Sequence, residues 1–270
     1  MLFQSIFGYL LRWTARPRYF LARYSYRLSG KSVDVLPLKN KYLGQTMLVV
    51  GNGPSLNQTP LDQFTHVPSI GMNKIDMLFN RTNWRPDLIV TVNSMVVKQH
   101  AESFLASPIP CFISWKARWF APRNIRSKLK YFYQSAFEAF SKDVVEGVGS
   151  SVTVTYVALQ FAYYMGASRV IVLGVDHSFS KSSKAHSYET RKGPDNDHFD
   201  PNYFKAGTIW GIPNLDESER AYALARCAFE KDGREILDAT VGGKLQIFKK
   251  ISIEEALAFC NEKQDFLKYP

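Results

Sequence analysis

Apolar residues fall in short unbroken runs, separated by amphipathic stretches and closed by small or amide-bearing residues. MLVV at Met47–Val50 predicts a first strand, and GNGPSL follows it directly at 51–56. Ser69–Met72 predicts a second strand ending at Asn73, Leu88–Val92 a third ending at Asn93, and Ile109–Trp115 a fourth. The stretch SVTVTYVALQFAYYM, Ser151–Met165, is apolar nearly all round and stops at Gly166, which predicts a buried helix. Ser150 or Ser151 is its expected cap. Arg169–Val175 predicts a central strand, Asp216–Lys231 an amphipathic helix closed by Gly233, and Glu235–Leu237 the start of a last strand. Near-continuous apolar strands alternating with helices imply an α/β, Rossmann-like fold, its mostly parallel central sheet covered by helices on both faces. Ligands of such sheets bind beyond the carboxyl ends of the strands. Asn52, Asn73, Asn93, Asp176 and His177 all lie at those ends. Residues 178–213, rich in Ser, Lys, His, Asp and Asn, form the longest irregular stretch, a length typical of functional or disordered loops.

The first thirty residues stand apart. Leu2, Phe3, Ile6, Phe7, Leu10 and Trp13 follow helical spacing, Arg12 and Arg16 take another face, and Pro17 interrupts the pattern. The apolar run is too short to span a bilayer and lacks a positive leader, so neither a transmembrane helix nor a secretory signal is expected. Two arrangements fit: an in-plane amphipathic helix with basic flanks, or a helix packed on the domain's own core. Residues 1–45 are therefore set off as a basic amphipathic segment, and 46–270 as the catalytic domain. Charge sharpens the contrast. The net charge is +10, and no acidic residue precedes Asp34, whereas Arg12, Arg16, Arg18, Arg23, Arg27 and Lys31 are basic. Such a balance suits nucleic acid, anionic lipid or a phosphorylated substrate. No zinc-finger, RNP-like or helix-turn-helix pattern accompanies it, so nucleic acid is not expected as a partner. Cys111, Cys227 and Cys260 show no metal-type spacing and read as free thiols of a reducing compartment.

GNGPSL is richer in turn residues than a turn requires. It lacks the third glycine of a dinucleotide fingerprint, where Asn57 stands, and the Gly-Lys-Ser/Thr ending of a P-loop. What remains is a strand-end loop, Gly51, Asn52, Gly53, Pro54 and Ser55, with backbone N–H groups and an amide suited to a phosphate or a base. Asn73 and Asn93 add two more amides, each with donor and acceptor, beside the bland reading of turn formers. Gly149, Ser150 and Ser151 read as an anion or ribose site at a helix N-terminus, or as a plain cap. His66 and His100 have no sequence partners. His177, His186 and His198 crowd the irregular loop with Asp176, Asp195 and Asp197. Asp195-Asn196-Asp197 formally matches a D-x-D metal motif, and the three histidines a zinc set, but neither spacing is diagnostic. A single histidine acting as general base is the simpler reading.

These blocks resemble the family-42 bacterial sialyltransferases: GNGPSL after the first strand, GMN and TVN closing the next two, the S/T-rich start of an apolar helix, IVLGVD, and His198-Phe199. They resemble more closely the related domains of flagellin-glycosylating motility accessory factors, which in turn look like archaeal 6-hydroxymethylpterin diphosphokinases. The likeness spans roughly residues 46–250. It implies a GT-A-like sheet and an inverting, metal-independent transfer, without cofactor, from a CMP-activated nonulosonate to a glycan, glycolipid or glycoprotein acceptor. By the same resemblance the Gly loop and Asn52 hold the CMP phosphate and ribose, Asn73 and Asn93 contact the donor, Ser150 and Ser151 approach the cytidine, and His198 is the base. Gly174, Asp176, His177 and Ser178 belong to the donor site as the end of IVLGVD and its continuation. The family places two tyrosines after that motif, where this chain has Ser178, Lys184 and His186, with Tyr188 a little later. A family arginine before the helix is replaced by Glu146-Gly147-Val148. These departures leave the sugar open between sialic acid and the other CMP-linked acids Kdo, pseudaminic acid and legionaminic acid, and leave room for another nucleotide. The expected setting is cytoplasmic, held peripherally on the inner membrane by residues 1–30. The alternatives are an ATP- and magnesium-dependent pterin diphosphokinase using Asp176, Asp195 and Asp197, or a silent nucleotide-sugar-binding subunit.

Overall fold

The computed structural model of the 270-residue chain describes residues 20–178 and 188–262. A short helix, α1, covers residues 20–28. The strands β1 (Thr46–Val50), β2 (Ser69–Met72), β3 (Leu88–Thr91), β4 (Cys111–Ser114), β5 (Lys130–Phe132) and β6 (Arg169–Leu173) follow. Interleaved with them are α2 (Ser94–Ala106), α3 (Arg123–Arg126) and α4 (Val154–Tyr164). A hairpin of β7 (Tyr188–Thr190) and β8 (Ile209–Gly211), then α5 (Leu215–Lys231), β9 (Glu235–Asp238), β10 (Lys249–Lys250) and α6 (Ile253–Asn261), complete the described chain.

Eight strands form one parallel sheet in the order β10-β9-β6-β1-β2-β3-β4-β5. Because side chains alternate across a strand, Leu48 and Val50 join one core while Met47 and Val49 join the other. Both faces are thereby covered, as the unbroken apolar strands predict. From β1 the chain builds outward to β5 on one side, then returns through α4 to build β6, β9 and β10 on the other. The reversal opens a crevice between the carboxyl ends of β1 and β6, where ligands of open α/β sheets bind.

The helix α4 is buried from Thr155 to Tyr164, so no polar face was needed in its sequence. Phe161 lies 5.2 Å from Phe132, edge to face, and 5.8 Å from Phe112. Such pairs contribute about 0.5–1.5 kcal/mol each beyond their burial. Its cap is neither Ser150 nor Ser151. Thr153 caps it, accepting the N–H of Thr155, and the two serines lie in the chain that enters the helix. Residues 40–44 close its other end: the N–H groups of Asn40, Tyr42 and Gly44 donate to the carbonyls of Tyr164, Met165 and Gly166 at 3.0, 2.8 and 2.9 Å. Carbonyls that a helix C-terminus leaves unpaired are satisfied in this way.

Of the N-terminal segment, residues 1–19 lie outside the described residues. In α1, Tyr26 is buried beside the rings of Trp115 and Tyr133, while Phe20, Leu21, Tyr24 and Leu28 on the other faces are 56–72% exposed. Arg23 and Arg27 both donate to Glu146, at 2.5 and 2.6 Å. Among the described residues no helix is long and apolar enough to cross a membrane.

Candidate functional site at the strand ends

The glycines of the β1 loop are required first by packing. A Cβ on Gly51 would stand 2.2 Å from the carbonyl oxygen of Gly174, and one on Gly53 would stand 1.7 Å from Asp176 Oδ2. The loops after β1 and β6 are thus in direct backbone contact, with Gly53 N–H donating to Gly174 O at 2.9 Å. Asp176 locks the pair: Ser55 N–H donates to Oδ1 at 3.1 Å, and Ser55 Oγ to Oδ2 at 2.7 Å. Burial raises the Asp176 pKa, and the Ser55 bonds partly oppose that rise. The surplus of glycine therefore serves the switch point itself.

Asn52 remains directed to other work. Its Oδ1 is buried and meets no hydrogen-bond partner among the described residues, although the residue lines the cleft. Its backbone carbonyl accepts the N–H of Phe199 at 3.0 Å, and Asn57 Nδ2 donates to Phe199 O at 3.0 Å. These bonds bring residues 195–204 over the β1 loop. Asn73 has φ 51°, a left-handed conformation that asparagine tolerates, and its Oδ1 accepts Thr91 Oγ1 at 2.9 Å. Asn93 caps α2, accepting the N–H groups of Met95 and Val96 at 2.9 and 3.3 Å. Both line the cleft, but their side-chain oxygens are also engaged within the protein, that of Asn73 by a side-chain hydroxyl and that of Asn93 by helix backbone.

The strongest construction surrounds His198. Its Nδ1 lies 2.9 Å from Asp195 Oδ2, and Asp195 has a fully buried side chain. Asp195 also accepts the N–H groups of Asp197 and Phe204, at 3.0 and 3.2 Å. Arg191 completes the cluster, 3.0 Å from Asp195 and 2.9 Å from Asp197, with its guanidinium 4.3 Å from the Trp210 ring centre. Behind the imidazole, the Tyr203 ring stacks in parallel at 4.0 Å. Lys74 supports that ring, donating Nζ to Tyr203 O at 2.9 Å and Gln99 Oε1 at 2.8 Å; burial lowers its pKa. A carboxylate at Nδ1 holds the ring proton there and leaves the Nε2 lone pair for a ligand, the second-partner logic of an oriented base.

Other expected residues separate into three groups. Gly174, His177 and Ser178 line the cleft; His177 Nε2 lies 2.9 Å from Glu219 Oε1. Gly149, Ser150 and Ser151 are not among the lining residues. Gly149 is held by Gln160, whose Oε1 accepts its N–H at 2.7 Å, and Ser150 Oγ donates to Ser135 O at 2.6 Å. In their stead Val152, Thr153, Val154 and Thr155 reach the cleft. Lys184 and His186 lie outside the described residues, as does the side chain of Tyr188. Away from the cleft, His100 pairs with Asp76 at 2.7 Å, and exposed His66 meets Asn261.

The residues that sequence reasoning missed are Arg191, Tyr203, Lys74, Trp210 and Glu219. Only the i,i+3 spacing of Asp195 and His198 was readable as a pair. Of the five missed residues only Trp210 lines the cleft itself, which measures about 930 Å³ and is polar at the strand ends and apolar toward Phe120, Phe204, Trp210 and Ile212. Its size suits a nucleotide with an attached group. Among the described residues no group of three or more His, Cys, Asp or Glu is arranged to hold a metal ion. The carboxylates of Asp176, Asp195 and Asp197 face Ser55, Arg191 and His198, and as arranged they do not fit a magnesium donor set.

A parallel doubly wound sheet with a glycine loop at its switch point defines a Rossmann-like α/β protein, with an oriented histidine over that loop in the candidate strand-end cleft. The model of the 6-hydroxymethylpterin diphosphokinase MptE-like family matches residues 21–182, and the chain belongs to that family. The matched region carries β1 to β6 and the glycine loop, and it ends before His198. No curated protein matches the chain. No solved structure matches it either.

Proposed function

We propose that the protein is an inverting, metal-independent glycosyltransferase. It moves a nonulosonic-type sugar from a CMP-activated donor to the hydroxyl of a glycan, glycolipid or glycoprotein. The observation that carries this reading is the His198–Asp195 pair set over the β1 loop, while the neighbouring carboxylates are engaged by Ser55 and Arg191. His198 Nε2 takes the proton of the acceptor hydroxyl, whose oxygen attacks the anomeric carbon of the sugar. The bond from that carbon to the phosphate oxygen breaks, and CMP leaves with the electron pair. A base of this type contributes about 10²–10⁴-fold. The N–H groups of Gly51, Gly53 and Ser55 are spent on the β6 strand and its loop. The group this loop offers the nucleotide is therefore Asn52 Oδ1, which has no partner among the described residues and is suited to a hydroxyl or amino donor. Residues 1–30 bring the enzyme to the inner face of the membrane.

The family's name favours a second reading, transfer of diphosphate from ATP to a pterin. That chemistry needs a magnesium site, and here Asp195 and Asp197 would first have to leave Arg191. Release of CMP from a panel of CMP-activated sugars, measured in EDTA with a mixed glycolipid acceptor, tests the proposal. Turnover that disappears in His198→Ala supports it. AMP formation from ATP and a hydroxymethylpterin, restored by magnesium, supports the second reading. Tight CMP-sugar binding without turnover on any acceptor marks a silent binding subunit.

A further inference from the structure

Besides residues 1–33, another stretch is both free of acidic residues and strongly basic. Between Ser103 and Phe137 there is no Asp or Glu, whereas Lys116, Arg118, Arg123, Arg126, Lys128 and Lys130 are cationic. The fold places the two stretches against each other. Trp115 Nε1 donates to Ser25 Oγ at 3.0 Å, Tyr26 OH to Tyr131 O at 3.3 Å, and Lys31 Nζ to Ser127 O at 2.8 Å. The acids paired with this surface are each shared. Glu146 faces both Arg23 and Arg27, and Asp34 faces both Lys31 and Lys130. Arg123 and Lys128 are exposed. The surface consequently keeps a surplus of positive charge.

Large apolar side chains are set among these cations. Leu21 and Leu28 on α1, with Val33 and Leu36 beyond it, are 51–70% exposed, and Trp119 is 63% exposed with the guanidiniums of Arg118 and Arg126 over its ring. Aliphatic and Trp side chains interspersed with Arg and Lys are the composition of an interfacial membrane surface. Trp119 could also stack on a base, but the exposed aliphatic side chains of Leu21, Leu28, Val33 and Leu36 have no such use and favour lipid. The surface also reaches the cleft: Trp119 is followed by Phe120, a cleft-lining residue 46% exposed.

We infer that α1, residues 31–36 and residues 115–130 form one docking surface for an anionic lipid bilayer. Trp119 and the leucines enter the headgroup boundary, Arg123 and Lys128 meet lipid phosphates, and the cleft opens beside the membrane at Phe120. This deepens the reading above, resting on it only for the lipid-linked acceptor that would enter there.

The test is flotation of the full-length protein, without nucleotide, on vesicles of phosphatidylglycerol and phosphatidylethanolamine and on neutral phosphatidylcholine vesicles. Each cation at such a surface contributes roughly fivefold in affinity. Arg123→Glu with Lys128→Glu, which leaves residues 1–30 intact, is expected to lower anionic-vesicle affinity by at least about 25-fold. Its melting temperature is expected to stay within about 1 °C, since neither residue is buried. Trp119→Ser gives an independent arm and is expected to weaken binding about tenfold through lost insertion. Affinity of both variants within twofold of the wild type overturns the assignment. So does equal binding to neutral vesicles, or preference for a polyuridine strand over anionic vesicles. Because no nucleotide is present, failure here leaves the transfer reading standing, and failure of the CMP-release assay leaves this surface standing.

Discussion

Replacing Gly53 by alanine separates a glycine needed by the fold from one needed by a ligand. Gly53 has φ −71° and ψ 161°, a conformation open to alanine, so the backbone itself resists nothing. The added Cβ would stand 1.7 Å from Asp176 Oδ2 and 2.9 Å from Gly174 O. The carboxylate must move, and its bonds from Ser55 N–H and Oγ are lost. Hydrogen bonds to a charged group are worth about 1.5–3 kcal/mol each, so Gly53→Ala should cost about 3 kcal/mol or more. Unfolding entropy near 2.1 cal/mol/K per residue gives about 0.57 kcal/mol/K for this chain, and the melting temperature should fall by about 5 °C. Thermal and urea unfolding of Gly53→Ala, Asp176→Ala and the double variant form the assay. Once Asp176 is truncated only the 2.9 Å approach to Gly174 O remains, so the loss in the double variant should fall well short of the sum of the two single losses. A Gly53→Ala protein that melts within 1 °C of wild type refutes the packing argument. Fully additive losses in the double variant refute it equally.

Several other substitutions probe the same site from different sides. His198→Ala should lower turnover about 10²–10⁴-fold while nucleotide affinity stays within about twofold, and near-normal turnover in steady-state kinetics would remove His198 as the base. Asn52→Ala deletes an acceptor that lacks a partner among the described residues, so unfolding should change by less than about 1 kcal/mol while calorimetry records weaker nucleotide binding. Asn93→Ala removes the α2 cap and should cost about 1 kcal/mol in urea unfolding; no loss would assign the side chain to the ligand alone. Lys116 has its pKa lowered by burial to about 8, from 10.5. Between these values the unfolded chain binds more protons than the native one, so stability should rise with pH through that window. Lys116→Met should flatten that rise in unfolding curves taken from pH 7.5 to 10, and an unchanged slope would contradict the assignment.

How far the sequence could be read depended on whether a feature was local. β2 was bounded to the residue, and the core strands were legible because burial on both faces leaves an unbroken apolar run. The α2 helix was not recognised: its buried residues, Val96, Val97, Ala101 and Phe104, are widely spaced among polar ones, and its first turn follows an asparagine that also reads as a turn. The edge strand β5 and the two-residue β10 are too short to carry a pattern. At the site, the strand-end row of Asn52, Asn73, Asn93 and His177 was visible, since strand ends converge by topology. The reason for the glycines was not, because it lies in Gly174 and Asp176, more than a hundred residues away. Gly149 and Ser150 looked like an anion site from composition alone, yet the donors an anion would need are taken by Gln160, Ser135 and Phe137. The setting of His198 is mostly local, with Arg191, Asp195 and Tyr203 within seven residues. An irregular loop has no period that reveals such contacts, however, and Lys74, which supports Tyr203, comes from just beyond β2.

The central claim is that this switch-point cleft holds a cytidine nucleotide and works without a divalent ion. The most direct measurement is calorimetric binding of CMP, CDP, UDP, GDP, AMP and ATP, each with magnesium and with EDTA. CMP or CDP should bind most tightly, with an affinity unchanged by EDTA. ATP as the preferred nucleotide, bound only with magnesium, would contradict it and make the pterin diphosphokinase reading the working description.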